Sequence, residues 1–250
     1  MDQRIIDATI LLLAAFVPSL IYLVWIRNTE RYGREPYGRL IRIFVYGATV
    51  SVMVAVVLEM LLMVLLDMNI ERVYQILGED PGLSSLILAC VIAPFVEEMT
   101  KASGVIRARN FLSDIEDGIV YGAAVGLGFA ATENLLYESN SYFSDGATAF
   151  VATAIVRSLS SALLHATTTS IVGLGVSRRM RFGTSWLPYY LGAVAIHGLF
   201  NYAASFGTLY EKNFGASASL IGLFAAFVIA LGGISMVRAK IRSLERGSMR

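Results

Sequence analysis

Ala93-Pro94-Phe95-Val96-Glu97-Glu98-Met99-Thr100-Lys101 is the stretch on which the reading of this chain turns. Two adjacent carboxylates and a lysine stand inside an apolar run that begins near Leu83 and resumes as Ala102 to Ile106. Ionisable side chains at membrane depth are costly, so their presence there points to a functional site. Glu97 and Lys101 are four residues apart and share one helix face. That pairing leaves Glu98 needing a partner, a proton or water.

The composition around this stretch is that of a membrane protein. Of 250 residues, 56% are hydrophobic and 16% charged, and the mean hydropathy is +0.64. Soluble domains carry more charge and less apolar content. A formal net charge of +1 gives no sign of a nucleic-acid partner; the lipid bilayer is the expected surrounding. The single cysteine, Cys90, excludes an internal disulfide and reads as a small buried apolar residue. Asp2 and Arg4 cancel, and the first apolar stretch outruns a signal-peptide core, so no cleavable signal is expected. With no linker, low-complexity segment or repeat, residues 1–250 read as a single membrane domain.

A spanning helix needs about 20 mostly apolar residues. Candidates fall at 5–26, 43–66, 83–106, 118–136, 148–176, 186–206 and 218–237, which predicts an all-α, polytopic protein of about seven transmembrane helices. Charge supports the count. Of the 20 Lys and Arg residues, fifteen lie in the loop 27–42, at Arg107 and Arg109, at Arg178, Arg179 and Arg181, or beyond residue 237, all on alternate ends. The opposite ends hold Arg4, Arg72 and Lys212, and the predicted loop 137–147 holds none. By the positive-inside rule the N-terminus is outside and the C-terminus cytoplasmic, as in a multi-pass protein of the cell membrane. The arginine-rich loop 27–42 reads as a topology determinant, with affinity for anionic lipid as a second reading.

The chain has two histidines, His165 and His197, and both fall in the middle of predicted spans. Asn201 follows His197 by one turn. At about 1.5 Å per residue, Glu97, His165 and His197 each lie roughly 15–16 Å from the cytoplasmic end of their segment. That is near the centre of a hydrocarbon layer about 30 Å thick. In the fourth segment Gly118, Gly122 and Gly126 recur every four residues, a spacing that lets helix backbones approach closely. Close packing of that segment brings Glu133 toward the pair on the third.

Glu97-Glu98-x-x-Lys101, Phe129-x-x-x-Glu133, the isolated His165, and His197-x-x-x-Asn201 together resemble the PrsW family of intramembrane proteases. So do Asp117-Gly118-x-x-Tyr121-Gly122 and Gly128-Phe129-Ala130-x-x-Glu133-Asn134. The wider CAAX-protease and bacteriocin-processing superfamily, to which that family is related, has an arginine where this chain has Lys101 and a histidine where it has Glu133. Both departures match the PrsW branch. The motifs lie within 93–201, and segments one, two and seven contribute none. The resemblance implies peptide-bond hydrolysis within or beside the membrane on a membrane-anchored protein substrate, with site-one cleavage of an anti-sigma factor as the family's role.

Amide hydrolysis needs an activated water, a stabilised oxyanion and a proton for the leaving amine. Glu97 is assigned as general base, from its match to the first family glutamate and its depth. His165 orients the water or shuttles its proton, and His197 and Asn201 donate to the oxyanion. Glu98 holds neighbours such as Lys101, while Glu133 and Phe129 complete the cluster. No Gly-x-Ser-x-Gly or Gly-x-Gly-Asp pattern supports a serine or aspartyl mechanism. Glutamate-activated water without a cofactor is the preferred chemistry. Zinc is the alternative, with Glu97, His165 and His197 as three ligands, although His-Glu-x-x-His spacing is absent. Two of Arg157, Glu59 and Glu133 read as joined in a structural ion pair, or Arg157 as part of a substrate entrance. The rival function is a proton-coupled transporter, since buried carboxylates and histidines also build proton relays; no inverted repeat supports it.

Overall fold

The computed structural model describes residues 3–78 and 82–248 and shows an all-α protein. Asp2 and Arg250, which enter the charge pattern, lie outside the described residues. Among the described residues, six helical runs are long and apolar enough to cross a membrane: Gln3–Arg27, Tyr37–Asp67, Leu83–Arg107, Ile115–Asp145, Ala147–Phe182 and Ser217–Arg246. The elements are α1 (Gln3–Arg27), α2 (Tyr37–Tyr46), α3 (Val52–Asp67), α4 (Ile70–Leu77), α5 (Leu83–Ile87), α6 (Ala93–Arg107), α7 (Ile115–Asp145), α8 (Ala147–Leu159), α9 (Ser161–Phe182), α10 (Leu187–Phe214) and α11 (Ser217–Ser248). The expected segment 186–206 is α10. Its 28 residues suffice in length, but His197, Asn201 and its tyrosines make it less apolar than the six.

Helix α7 is the centre of the bundle, buried from Asp117 to Ala131 along nearly every residue. The glycine spacing explains its closest neighbour. A methyl on Gly118, Gly122 or Gly126 would collide with the backbone oxygen of Gly173, Thr169 or His165, so α7 and α9 cross backbone to backbone. On the other side Gly128 abuts the carbonyl of Phe44 on α2. The glycines therefore bring α7 against α9 rather than against α6, and Glu133 arrives beside His165.

Three expectations are corrected. Residues 137–145 are helical, not a loop: α7 runs on to Asp145, and Gly146 alone makes the turn, at φ +86°. Tyr142 packing on Phe150 across that turn, with ring centroids 5.9 Å apart, gives the polar extension a tertiary reason to stay helical. The segment 148–176 is two helices, α8 and α9, which meet at Ser160. Arg157 and His165 therefore do not share one continuous helix face. The expected loop 27–42 is shorter, since α1 ends at Arg27 and α2 begins at Tyr37, and the connection 28–36 is a strap folded onto the bundle. Arg27 Nε donates to the Glu35 carbonyl at 2.6 Å, and Glu245 accepts the backbone N–H groups of Arg31 and Tyr32 at 2.6 and 3.1 Å. Tyr121 donates its hydroxyl to Glu35.

Candidate active site

The site forms where α6, α7, α9 and α10 meet. Helix α6 is preceded by a π-helical turn, Leu88–Ile92, and opens on Ala93-Pro94. Proline has no N–H, so the turn before it is short of a donor. Asn201 on α10 supplies one: its Nδ2 donates to the Ala89 carbonyl at 2.7 Å. Gly198 lets α10 come close enough to do this, since a methyl there would press on the Cys90 carbonyl. Bulged turns of this kind recur at functional sites, and here one sets the rotation of the helix that carries Glu97 and Glu98.

Lys101 is the hub. It is fully buried, and its Nζ lies 2.8 Å from Glu98 Oε1, 3.2 Å from Glu97 Oε2 and 2.8 Å from His165 Nδ1. Phe129 caps it, with the ammonium 4.5 Å from the ring centroid; the same ring lies 5.5 Å from that of His165. The phenylalanine one turn before Glu133 thus shields both a cation and an imidazole.

Both histidines are held by carboxylates. His165 Nε2 lies 2.8 Å from Glu133 Oε2. His197 Nδ1 lies 2.9 Å from Glu98 Oε1. Their inner nitrogens turn toward Glu97, whose Oε2 is 3.8 Å from His165 Nδ1 and 4.0 Å from His197 Nε2. The two rings stand nearly perpendicular with centroids 5.1 Å apart. One ligand atom from each of Glu97, His165 and His197 lies within 4.8 Å of the others, the one such trio among the described residues.

The neighbouring glutamates have unequal surroundings. Glu98 is fully enclosed, and its Oε1 takes Lys101, His197 and the Thr168 hydroxyl, the last at 3.0 Å. Glu97 instead lines a cavity of about 490 Å³ together with Glu59, Phe129, Glu133, Arg157, His165 and Asn201. His197 is set behind that wall. Arg157 lies at the cavity's edge, with Nη2 2.9 Å from Glu133 Oε2, Nε 2.9 Å from Asn134 Oδ1, and its guanidinium 3.9 Å from the centroid of Tyr137. Of the two anionic partners considered for Arg157, Glu133 is the one it meets.

Sequence reasoning missed Thr168. It stands one turn after His165, which is a visible signal, but its hydroxyl is explained only once α9 is placed against Glu98. The use of Asn201 to complete the turn before α6 was likewise not readable without the π turn.

The profile of a family described as "PrsW family intramembrane metalloprotease" matches residues 35–232. The chain is 39% identical over 132 residues to the protein named Protease PrsW of Clostridioides difficile (strain 630), covering 51% of this chain and 50% of that one. It is 28% identical over 199 residues to the Protease PrsW of Geobacillus kaustophilus (strain HTA426), 77% of this chain and 78% of that one. It is 30% identical over 128 residues to the Protease PrsW of Bacillus subtilis (strain 168), 50% and 51%. The chain thus spans about half the length of the first and third of these relatives. No solved structure matches it.

Proposed function

The chain belongs to the PrsW family of intramembrane proteases, and from that premise we propose that it hydrolyses peptide bonds of membrane-anchored proteins in the cell membrane, with Glu97 as the base that activates water. By the family's precedent the substrate is an anti-sigma factor or a protein of that kind. The transporter reading is not favoured, because the chain's relatives are proteases.

One observation carries the proposal: of two adjacent glutamates, Glu97 lines the cavity and Glu98 does not. Lys101 Nζ, 3.2 Å from Glu97 Oε2, holds that carboxyl group in place at the cavity wall. A water in the cavity gives its proton to Glu97 as its oxygen attacks the scissile carbonyl. His197 Nε2 faces Glu97 across 4.0 Å from behind the cavity wall, and with Nδ1 committed to Glu98 that nitrogen steadies the protonated Glu97, which returns the proton to the leaving amine. His165 has both nitrogens occupied, by Lys101 and by Glu133, and serves to fix the geometry. Asn201 keeps one amide hydrogen for the oxyanion after satisfying Ala89.

A second reading is favoured by the same trio. Glu97, His165 and His197 converge with a carboxylate behind each ring, the outer arrangement common among metal-binding histidines. This donor set fits zinc, which when bound supplies Lewis acidity and a more acidic water. Lys101 already holds Nδ1 of His165, so ligation by that nitrogen and the Lys101 contact are exclusive.

The test is cleavage of a single-span substrate in proteoliposomes by wild type, Glu97→Gln and Glu98→Gln, with and without a strong chelator. Positioned acid–base groups contribute about 10²–10⁴ in rate, so Glu97→Gln should lose essentially all activity and Glu98→Gln should retain some. Wild-type rates in folded Glu97→Gln would sink the assignment. Chelation should leave activity intact; loss restored by zinc, with metal found by mass spectrometry in wild type and not in His197→Ala, would establish the metal reading instead.

A further inference from the structure

Three carboxylates line the cavity, Glu97, Glu133 and Glu59, and among the described residues Glu59 alone of them makes no ion pair. It interrupts α3, whose residues from Val52 to Leu66 are otherwise apolar. Its Oε1 is enclosed and has no hydrogen-bond partner. The cations in range of the cavity are both committed elsewhere: Arg157 to Glu133, Asn134 and Ser161, and Lys101 to Glu97, Glu98 and His165. The other two carboxylates of the lining, Glu97 and Glu133, are the ones those cations hold.

Enclosing an unpartnered carboxyl oxygen is costly, and half-buried Glu59 does so at the wall of the space that holds the proposed base. Val52, Ala55 and Val56, within two turns on the same helix, line the same cavity and give it an apolar floor. An apolar floor ending in a lone carboxylate fits a long side chain with an aliphatic stem and a cationic head. We propose that Glu59 is a specificity-determining residue that receives a lysine or arginine side chain of the substrate segment lying beside Glu97. The setting rests on the protease reading; the binding itself requires no cleavage.

The two can therefore be tested apart. The probe is a synthetic single-span peptide with an alanine–leucine core and one flanking lysine, moved residue by residue, alongside norleucine versions of the same length. Binding is measured to Glu97→Gln protein in nanodiscs, which holds the cavity without cutting. At one lysine position the lysine peptide should bind at least tenfold tighter than its norleucine counterpart. Adding Glu59→Gln should abolish that preference, and adding Glu59→Lys should transfer it to a glutamate-bearing peptide. Equal binding at every position, or a lysine preference that survives Glu59→Gln, overturns the inference. In parallel, cleavage sites of wild-type protein are mapped on a pool of membrane-protein peptides. No cleavage together with a lysine preference dependent on Glu59 sinks the protease reading and leaves the inference standing. Cleavage with no basic enrichment near the cut, unchanged by Glu59→Gln, does the reverse.

Discussion

Nζ of Lys101 lies 2.8 Å from Nδ1 of His165, between residues 64 positions apart. The contact ties α6 to α9 and places one positive charge among Glu97, Glu98 and a neutral ring. Removing one partner of a buried ion pair costs about 3–5 kcal/mol, because the other charge is left unanswered. Lys101→Met should therefore lower thermal stability in detergent by that order and abolish cleavage. Lys101→Met with Glu98→Gln should recover part of the stability and none of the activity. A stable, active Lys101→Met variant would remove the lysine from the centre of the site.

Gly126 tests the backbone crossing that delivers His165. A side chain there meets the His165 carbonyl oxygen itself, which has no room to yield without moving α9. Overpacking typically costs about 1–3 kcal/mol, and here the displaced helix also carries a site residue. Gly126→Val should lower the melting temperature and reduce kcat far more than Gly192→Val, whose added side chain meets open space. Equal effects of the two would mean that the close crossing does not position His165.

Much of this site was legible before any coordinates. Glu97, Glu98, Lys101, Glu133, His165 and His197 are ionisable groups in apolar runs, and their cost alone marks them. The four-residue glycine rhythm on α7 announced a close crossing but pointed it toward the third segment, because the true partner, α9, is marked only by glycines and small polar residues. What stayed hidden depends on two segments at once. The turn before α6 needs both Pro94 and the amide of Asn201 from α10. The helical state of 137–145 comes from Tyr142 meeting Phe150, while its polar composition reads as a loop. The break at Ser160 leaves no mark on hydropathy. The isolated charge of Glu59 appears only when Arg157 is seen to be taken by Glu133.

Glu30 gives a pH dependence to the strap. It is 1% exposed, and burial, with Asp117, Glu35 and Glu245 nearby, pushes its carboxyl up from 4.5 to about 8. A raised carboxyl favours the protonated folded state. Its contribution to stability is complete below about 4.5 and is lost as pH rises toward about 8. Melting temperatures of wild type should thus fall across that interval, and Glu30→Gln should flatten the fall. The same slope in both would place the titration elsewhere, for instance at Glu35, which burial also raises.

The last prediction concerns α10, the helix that passes the length requirement but is less apolar than the six. Its polar residues face inward: His197 binds Glu98, Asn201 binds Ala89, and Tyr190 donates to the Phe95 carbonyl at 2.8 Å. Its outward residues include the exposed Leu187, Leu191 and Leu199. A helix with satisfied polar groups inside and leucines outside is compatible with lipid despite a modest average. The expected outcome is seven crossings, with the arginine-rich ends cytoplasmic. In a Cys90→Ala background, single cysteines at the exposed positions Asp145, Thr184 and Ala216 bracket α8–α9 and α10. An impermeant thiol reagent applied outside intact cells should label Asp145→Cys and Ala216→Cys and spare Thr184→Cys. Labelling of Thr184→Cys with Ala216→Cys on one side would mean that α10 does not cross, and labelling of Thr184→Cys alone would invert the orientation.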